Sequence, residues 1–274
     1  MRTLPPPVTD EEDLYDRLLS GRQRRFAEVL AEARGTVLSA YSTYRAGMVV
    51  NLSTVIKLDD TAEKLRSNYG ILRSGALSED GAQILARSRI CCLCGLRDTS
   101  ELDHYLPKQI FPEFAAYTVN LIPVCGVCNK RKDEHYRTDE GYPAFIHAYL
   151  DVLPQSERFL VAKLSLDNAV LPSFQVVRAP AMPESTYQIL ASQFDRFQLA
   201  TFYSEEAIEL LVEKHGAIID YFDDGGASTV KKYLHREARS IEQRLGLNHW
   251  KPVILTAAAD SEEFCRGGFR FLGS

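Results

Sequence analysis

The sequence predicts an α+β protein, mainly helical, with a small cysteine-bearing insert near its middle. Three observations carry that expectation. Long stretches on both sides of the centre place apolar residues three and four apart, two Cys-x-x-Cys motifs fall in one central segment, and only two short runs after it are rich in β-branched and aromatic residues.

Thr9, with Glu12 three residues on, has the order of a capping box and is expected to open a first short helix. From Arg22 to Arg45 the residues Phe26, Val29, Leu30, Ala33, Val37, Leu38, Tyr41 and Tyr44 form one stripe, which predicts a core-facing helix. Further helices are expected over Thr61–Leu72 and Ser78–Arg87, the second capped by Ser78. From Arg89 to Tyr136 the character changes to Cys-Gly knuckles, short β-like runs and prolines. The expected division is therefore a helical region over 1–87, a separate unit over 88–137, and a C-terminal region over 138–274 holding a hairpin and then helices. "RFLVAKLSL" and "FQVVRAP", broken by Asp167-Asn168 and Pro172, supply the hairpin. Ile208, Leu211, His215, Ile218 and Phe222 make one later stripe; Ala227, Val230, Leu234, Ala238, Ile241 and Leu245 make another. Near the end, Asn248 is expected to cap a last helix with Trp250 buried beneath it. No internal repeat or low-complexity segment is visible.

Hydrophobic residues at 45% and charged residues at 25% of 274 positions describe an ordinary globular chain and exclude disordered and fibrous classes. The net charge of −5 argues against a broad sheath of phosphate contacts, so any nucleic-acid contact must be local. No apolar run follows Arg2, and stretches such as Val253–Ala259 fall well short of the ~18 residues of a membrane span. The expectation is a cytoplasmic protein without a membrane partner.

Five of the six cysteines lie between Cys91 and Cys128, a clustering that favours metal ligation over disulfides in a reducing compartment. Cys91-x-x-Cys94 and Cys125-x-x-Cys128 each let one tight turn offer two thiolates, and four thiolates satisfy tetrahedral Zn²⁺ with no open position. The zinc is expected to be structural. Gly95 and Gly126 are expected to supply positive φ in the knuckles. Cys92 is left outside the quartet, and Cys265 is read as a free thiol.

Between the knuckles lie Asp103 and His104. Neighbours in a regular strand point to opposite faces, so a site using both must sit at a strand end, which Pro107 supports. Asn129 follows the second knuckle, where "NKRKDEHY" is expected to start a helix. Lys108, Lys130, Arg131 and Lys132, with Arg97, give this segment a positive bias suited to phosphate.

The order Cys91-x-x-Cys94-Gly95, Asp103-His104, Pro107, Asn120-Leu121, Cys125-x-x-Cys128-Asn129 and Lys132 resembles the HNH endonucleases with a four-cysteine zinc ribbon, over about fifty residues. Asn248–Trp250 and Glu263–Phe269 are similar to bacterial HNH proteins associated with phage defence. The resemblance implies a ββα-metal unit. In it Asp103 and Asn129 would hold a catalytic Mg²⁺ or Mn²⁺, His104 would be the general base, and Asn120 would brace the loop between the strands. Asn129 stands where the founding pattern has His, and an amide oxygen suits a hard cation. Asp133 is a spare ligand, while His135 is expected on a different helix face. The implied reaction is hydrolysis of DNA phosphodiesters, the choice between DNA and RNA staying open at this point, with a regulatory partner such as an ATPase. An imidazole with pKa near 6.5 can take a proton from water, and a cation can absorb charge on the leaving 3′ oxygen.

Two other classes compete. A non-catalytic zinc-ribbon module would make Asp103 and His104 incidental. A zinc deaminase needs an H-x-E element; only His235 has Glu two residues later, far past the cysteines and in the wrong order.

Overall fold

The computed structural model describes residues 1–20, 22–47, 52–57 and 59–273. It has a mainly helical α+β fold with two small two-stranded antiparallel sheets. The chain divides into two compact units, Arg2–Val152 and Leu153–Ser274.

In the first unit, α1 (Glu11–Ser20) starts one residue later than the capping-box reading suggests. The Asp10 carboxylate, not Thr9, accepts from the Glu12 and Asp13 amides, both at 3.1 Å. Helix α2 (Arg24–Arg45) buries Leu30, Ala33, Val37, Ala40, Tyr41 and Tyr44 along the expected face. Helix α3 (Asp60–Ser74) is capped by Asp59, whose side chain accepts from Thr61 N at 2.9 Å. Helix α4 (Ser78–Ala86) has Leu77 at its N-cap and Ser78 already inside, so the expected serine cap is not formed.

Strand β1 (Glu101–His104) pairs antiparallel with β2 (Leu121–Val124), placing Asp103 opposite Ile122 and His104 opposite Leu121. Helix α5 (Gly126–Lys132) follows at once. Strands of four residues cannot build a core alone. Leu102 and Leu121 are buried in one cluster with Leu14, Leu18, Leu72 and Ile84 of the N-terminal helices. Each fully buried leucine there contributes about 1.5–3 kcal/mol of transfer free energy. The expected boundary at residue 87 is therefore not a division of the core. The boundary expected at 137 moves as well: the Tyr105 hydroxyl donates to Phe145 O (2.9 Å) and the Tyr149 hydroxyl to Leu121 O (3.0 Å), tying the chain beyond 137 into the same unit.

In the second unit, β3 (Leu160–Leu166) and β4 (Val170–Val176) form the expected hairpin, turning through Asn168 at φ +56°. Pro172 lies inside β4 opposite Leu164 and does not interrupt it. Each strand of a two-stranded sheet has an unpaired side, where a proline nitrogen costs no ladder bond. Helix α6 (Glu184–Arg196) leads to α7 (Leu199–Glu213), which packs on β4.

The next helical segment, α8 (His215–Leu245), leaves helical geometry at Gly225 and Gly226. Its arms run antiparallel: Lys214 Nζ meets Glu237 at 2.7 Å, and Tyr221 stacks on Tyr233 at 4.5 Å. The two apolar stripes of the sequence are thus separate, with the first interrupted at Lys214, between α7 and α8. Helix α9 (Trp250–Asp260) packs on β3 with Trp250 buried. His249 is its cap, not Asn248: its Nδ1 accepts from Lys251 N at 3.2 Å. Asn248 instead accepts from Phe159 N (2.8 Å) and Leu160 N (3.2 Å) and donates to Glu157 O (2.9 Å), pinning the entry to β3. Helix α10 (Glu262–Cys265) and the turn after it bury Phe264 and Phe269 against each other. Among the described residues, no helix is long and apolar enough to cross a membrane.

Candidate functional site

Two centres share the start of α5. At one, the Sγ atoms of Cys91, Cys94, Cys125 and Cys128 all lie within 4.8 Å of one another, and all four residues are buried. Thiolates about 2.3 Å from a tetrahedral ion stand roughly 3.8 Å apart, so the quartet fits one metal ion with no position left over. The first knuckle closes through Gly95 N to Cys91 O (2.8 Å), with Gly95 at φ +64° as the sequence predicts. In the second, Cys128 N donates to Cys125 Sγ at 3.5 Å, so Cys125 is both thiol donor and cap of α5.

Gly126 does not have positive φ; it is the first residue of the helix. A Cβ there would come within 2.8 Å of Glu101 Oε1, so any larger residue would have to displace the Glu101 carboxylate. Cys92 is buried outside the quartet, its thiol pushed up to about 11 by burial, and so remains protonated.

At the other, an open cleft is lined by Glu101, Asp103 and His104 from β1, by Asn129 from α5, and by Lys108 and Asp133 from the flanking loops. Asp103 and His104 are the last two residues of β1, so both reach the cleft despite the alternation of a strand. Asn120 sits behind it, fully buried. Its amide oxygen accepts from Leu106 N (2.8 Å) and the Tyr44 hydroxyl (2.9 Å), and its nitrogen donates to Leu106 O (3.0 Å) and Phe114 O (3.1 Å). Three of these bonds brace the loop between the strands, and the fourth ties it to α2.

His104 Nε2 lies 2.9 Å from the Ala115 carbonyl. A carbonyl only accepts, so Nε2 carries the proton and Nδ1 is the basic nitrogen. Burial lowers the imidazole to about 3, with Lys108 and Lys132 acting in the same direction and the Ala115 bond opposing it. The ring is therefore neutral at pH 7, well below the ordinary value near 6.5 that the sequence suggests. An anionic phosphodiester alongside would raise it again.

Lys132 departs most from expectation. Its side chain is wholly buried, with Nζ donating to His104 O at 2.7 Å and lying 3.2 Å from Asp103 Oδ2. It is withdrawn from the phosphate footprint expected for it and braces the end of β1 from within. Lys108 and Lys130 do line the cleft; Arg131 is not among its lining residues. Burial pushes Asp103 up to about 6, with Lys132 opposing the shift.

Glu101, not singled out in the sequence, lies two residues before Asp103 and so on the same strand face. Its carboxylate accepts from the Asn129 side-chain nitrogen, which turns the amide oxygen toward other partners. The i, i+2 spacing from Asp103 was the available signal. Asp103 Oδ2 is buried and ion-paired with Lys132 Nζ at 3.2 Å without hydrogen-bond geometry, and Glu101, Asp103 and Asn129 form a set of oxygen donors suited to a hard divalent cation. Helix α5 begins three residues before Asn129 and ends at Lys132, with Asp133 following at φ +51°. His135 thus lies past the helix rather than on another face of it, its Nδ1 3.1 Å from Lys132 O.

The sequence is 26% identical over 234 residues to Protein ea31 of Escherichia phage lambda, covering 80% of this chain and 77% of that one. No family model and no solved structure matches.

Proposed function

We propose that this chain is a metal-dependent endonuclease of the HNH type that hydrolyses DNA phosphodiesters, with zinc in its four-thiol centre. The observation that carries the reading is the cleft. A histidine with one nitrogen committed to the Ala115 carbonyl stands there beside the oxygen donors of Asp103 and Asn129, in the motif order described above.

In this mechanism His104 Nδ1 accepts a proton from the attacking water. Asp103 and Asn129, with Glu101 as a third oxygen donor, would hold Mg²⁺ or Mn²⁺ at the cleft. When bound, that cation supplies Lewis-acid stabilisation of the leaving 3′ oxygen. Lys108 and Lys130 bind the phosphate backbone without reading its sequence. The four thiols keep the two ends of the excursion together, and the Asn120 bonds keep the loop carrying the Ala115 carbonyl in place.

The test is nicking of supercoiled plasmid with Mg²⁺ or Mn²⁺, comparing the native protein with His104→Ala. Loss of the general base lowers the rate by about 10²- to 10⁴-fold. Equal inertness of both proteins on DNA and RNA would favour the non-catalytic zinc-ribbon module instead.

A further inference from the structure

The motif residues lie within 88–137, yet His104 is also held from outside that segment. Tyr69, on α3, packs edge-on against the imidazole, with ring centroids 4.4 Å apart at 61°. Its hydroxyl donates to the Leu102 carbonyl at 2.8 Å, anchoring the phenol to the same strand that carries the histidine. The Lys108 ammonium stands over the Tyr69 ring, 4.5 Å from its centroid. One turn earlier on α3, Arg66 donates to Lys108 O (3.2 Å) and Gln109 O (2.7 Å), holding the backbone that presents that lysine.

The Ala115 bond holds one atom of the imidazole and leaves the ring able to swing about that contact. A second contact on the ring itself removes the swing. The same phenol gives the Lys108 ammonium a seat made of π density, which holds the cation without neutralising it, so its charge stays available for a phosphate oxygen.

We propose that Tyr69 is a positioning residue of the phosphodiesterase site: it orients the His104 ring and seats Lys108 beside it, making α3 part of the site. This rests on the reading of His104 as general base, and it concerns a helix to which the sequence assigned only a scaffold role.

The experiment compares the full-length native protein with Tyr69→Leu and Tyr69→Phe. The readouts are single-turnover plasmid nicking with Mn²⁺ over a range of DNA concentrations, ¹⁵N NMR of the His104 ring, and thermal melts. In the native protein the NMR should show one tautomer, protonated at Nε2. Tyr69→Leu should lower the maximal rate by about 10- to 100-fold, the scale on which small misplacements act. It should also raise the half-saturating DNA concentration and give a mixture of tautomers. Tyr69→Phe, which keeps the ring, should restore a single tautomer and most of the rate.

A Tyr69→Leu protein with native rate and a single native tautomer would overturn the proposal. So would a tautomer mixture in the native protein, a result that does not depend on any variant folding. If the native protein cleaves nothing, the nuclease reading fails, while the tautomer comparison still judges the role of Tyr69.

Discussion

At the scale of single residues, the buried Lys132 gives Asp103 its countercharge. Both side chains are almost fully withdrawn from solvent, at 1% and 4% exposure. Removing one member of such a pair leaves an uncompensated buried charge, so Lys132→Met should destabilise the protein by about 3–5 kcal/mol in urea unfolding. A change under about 1 kcal/mol would mean that the pair does not stabilise the fold. Glu11 is a second buried acid. Its Oε1 accepts from Thr118 and lies 3.6 Å from Arg45, while Oε2 is buried without a hydrogen-bond partner. Burial raises its pKa from 4.5 to about 7. The folded state thus prefers the neutral acid; this contribution is complete below pH 4.5 and is lost as pH rises through 7. Glu11→Gln should therefore be more stable than the native protein at pH 8, by roughly 1–3 kcal/mol. The gap should close near pH 5, and pH-independent melting of both proteins would refute the assignment.

At the scale of elements, the Gly225–Gly226 corner folds one helical segment into two antiparallel arms. Gly226 has φ +66° and ψ −159°, a region open essentially only to glycine. Gly226→Ala should cost about 1–3 kcal/mol, measured by chemical denaturation. Much of this scale was legible in the sequence. Apolar spacing located α2 and the two later stripes, and the two Cys-x-x-Cys turns identified the thiol quartet without Cys92. Caps were less legible: Asp10 and His249 have neighbours that fit a cap as well on local chemistry, and at Leu77 the backbone places the cap one residue before the better-suited Ser78. Lys132 and Glu101 were misread or missed for a different reason. A lysine in a run of basic residues reads as solvated until tertiary packing shows that its turn of α5 faces β1. Glu101 is brought to Asn129, twenty-eight residues away, only by the turn from β2 into α5.

At the scale of the whole molecule, the chain is two compact units, and only Arg2–Val152 holds the thiol quartet. A metal bound only by the folded state adds its binding free energy to folding. Chelation should therefore lower the calorimetric transition of that unit, each 1 kcal/mol lost being worth about 2–4 °C at this size. The transition of Leu153–Ser274 should stay in place, and a shift of both by equal amounts would count against a metal confined to the first unit. Three regions were expected and the chain clusters into two compact units, Leu102 and Leu121 of the 88–137 segment sharing a buried cluster with Leu14, Leu18, Leu72 and Ile84 of the N-terminal helices. Because Cys128 and Asn129 are consecutive on α5, the sulfur corner and the oxygen-lined cleft are held at a fixed angle to each other around one helix axis. A single residue inserted between them would swing the amide by about 100° around the helix axis. The junction between those two residues therefore tolerates no change in length.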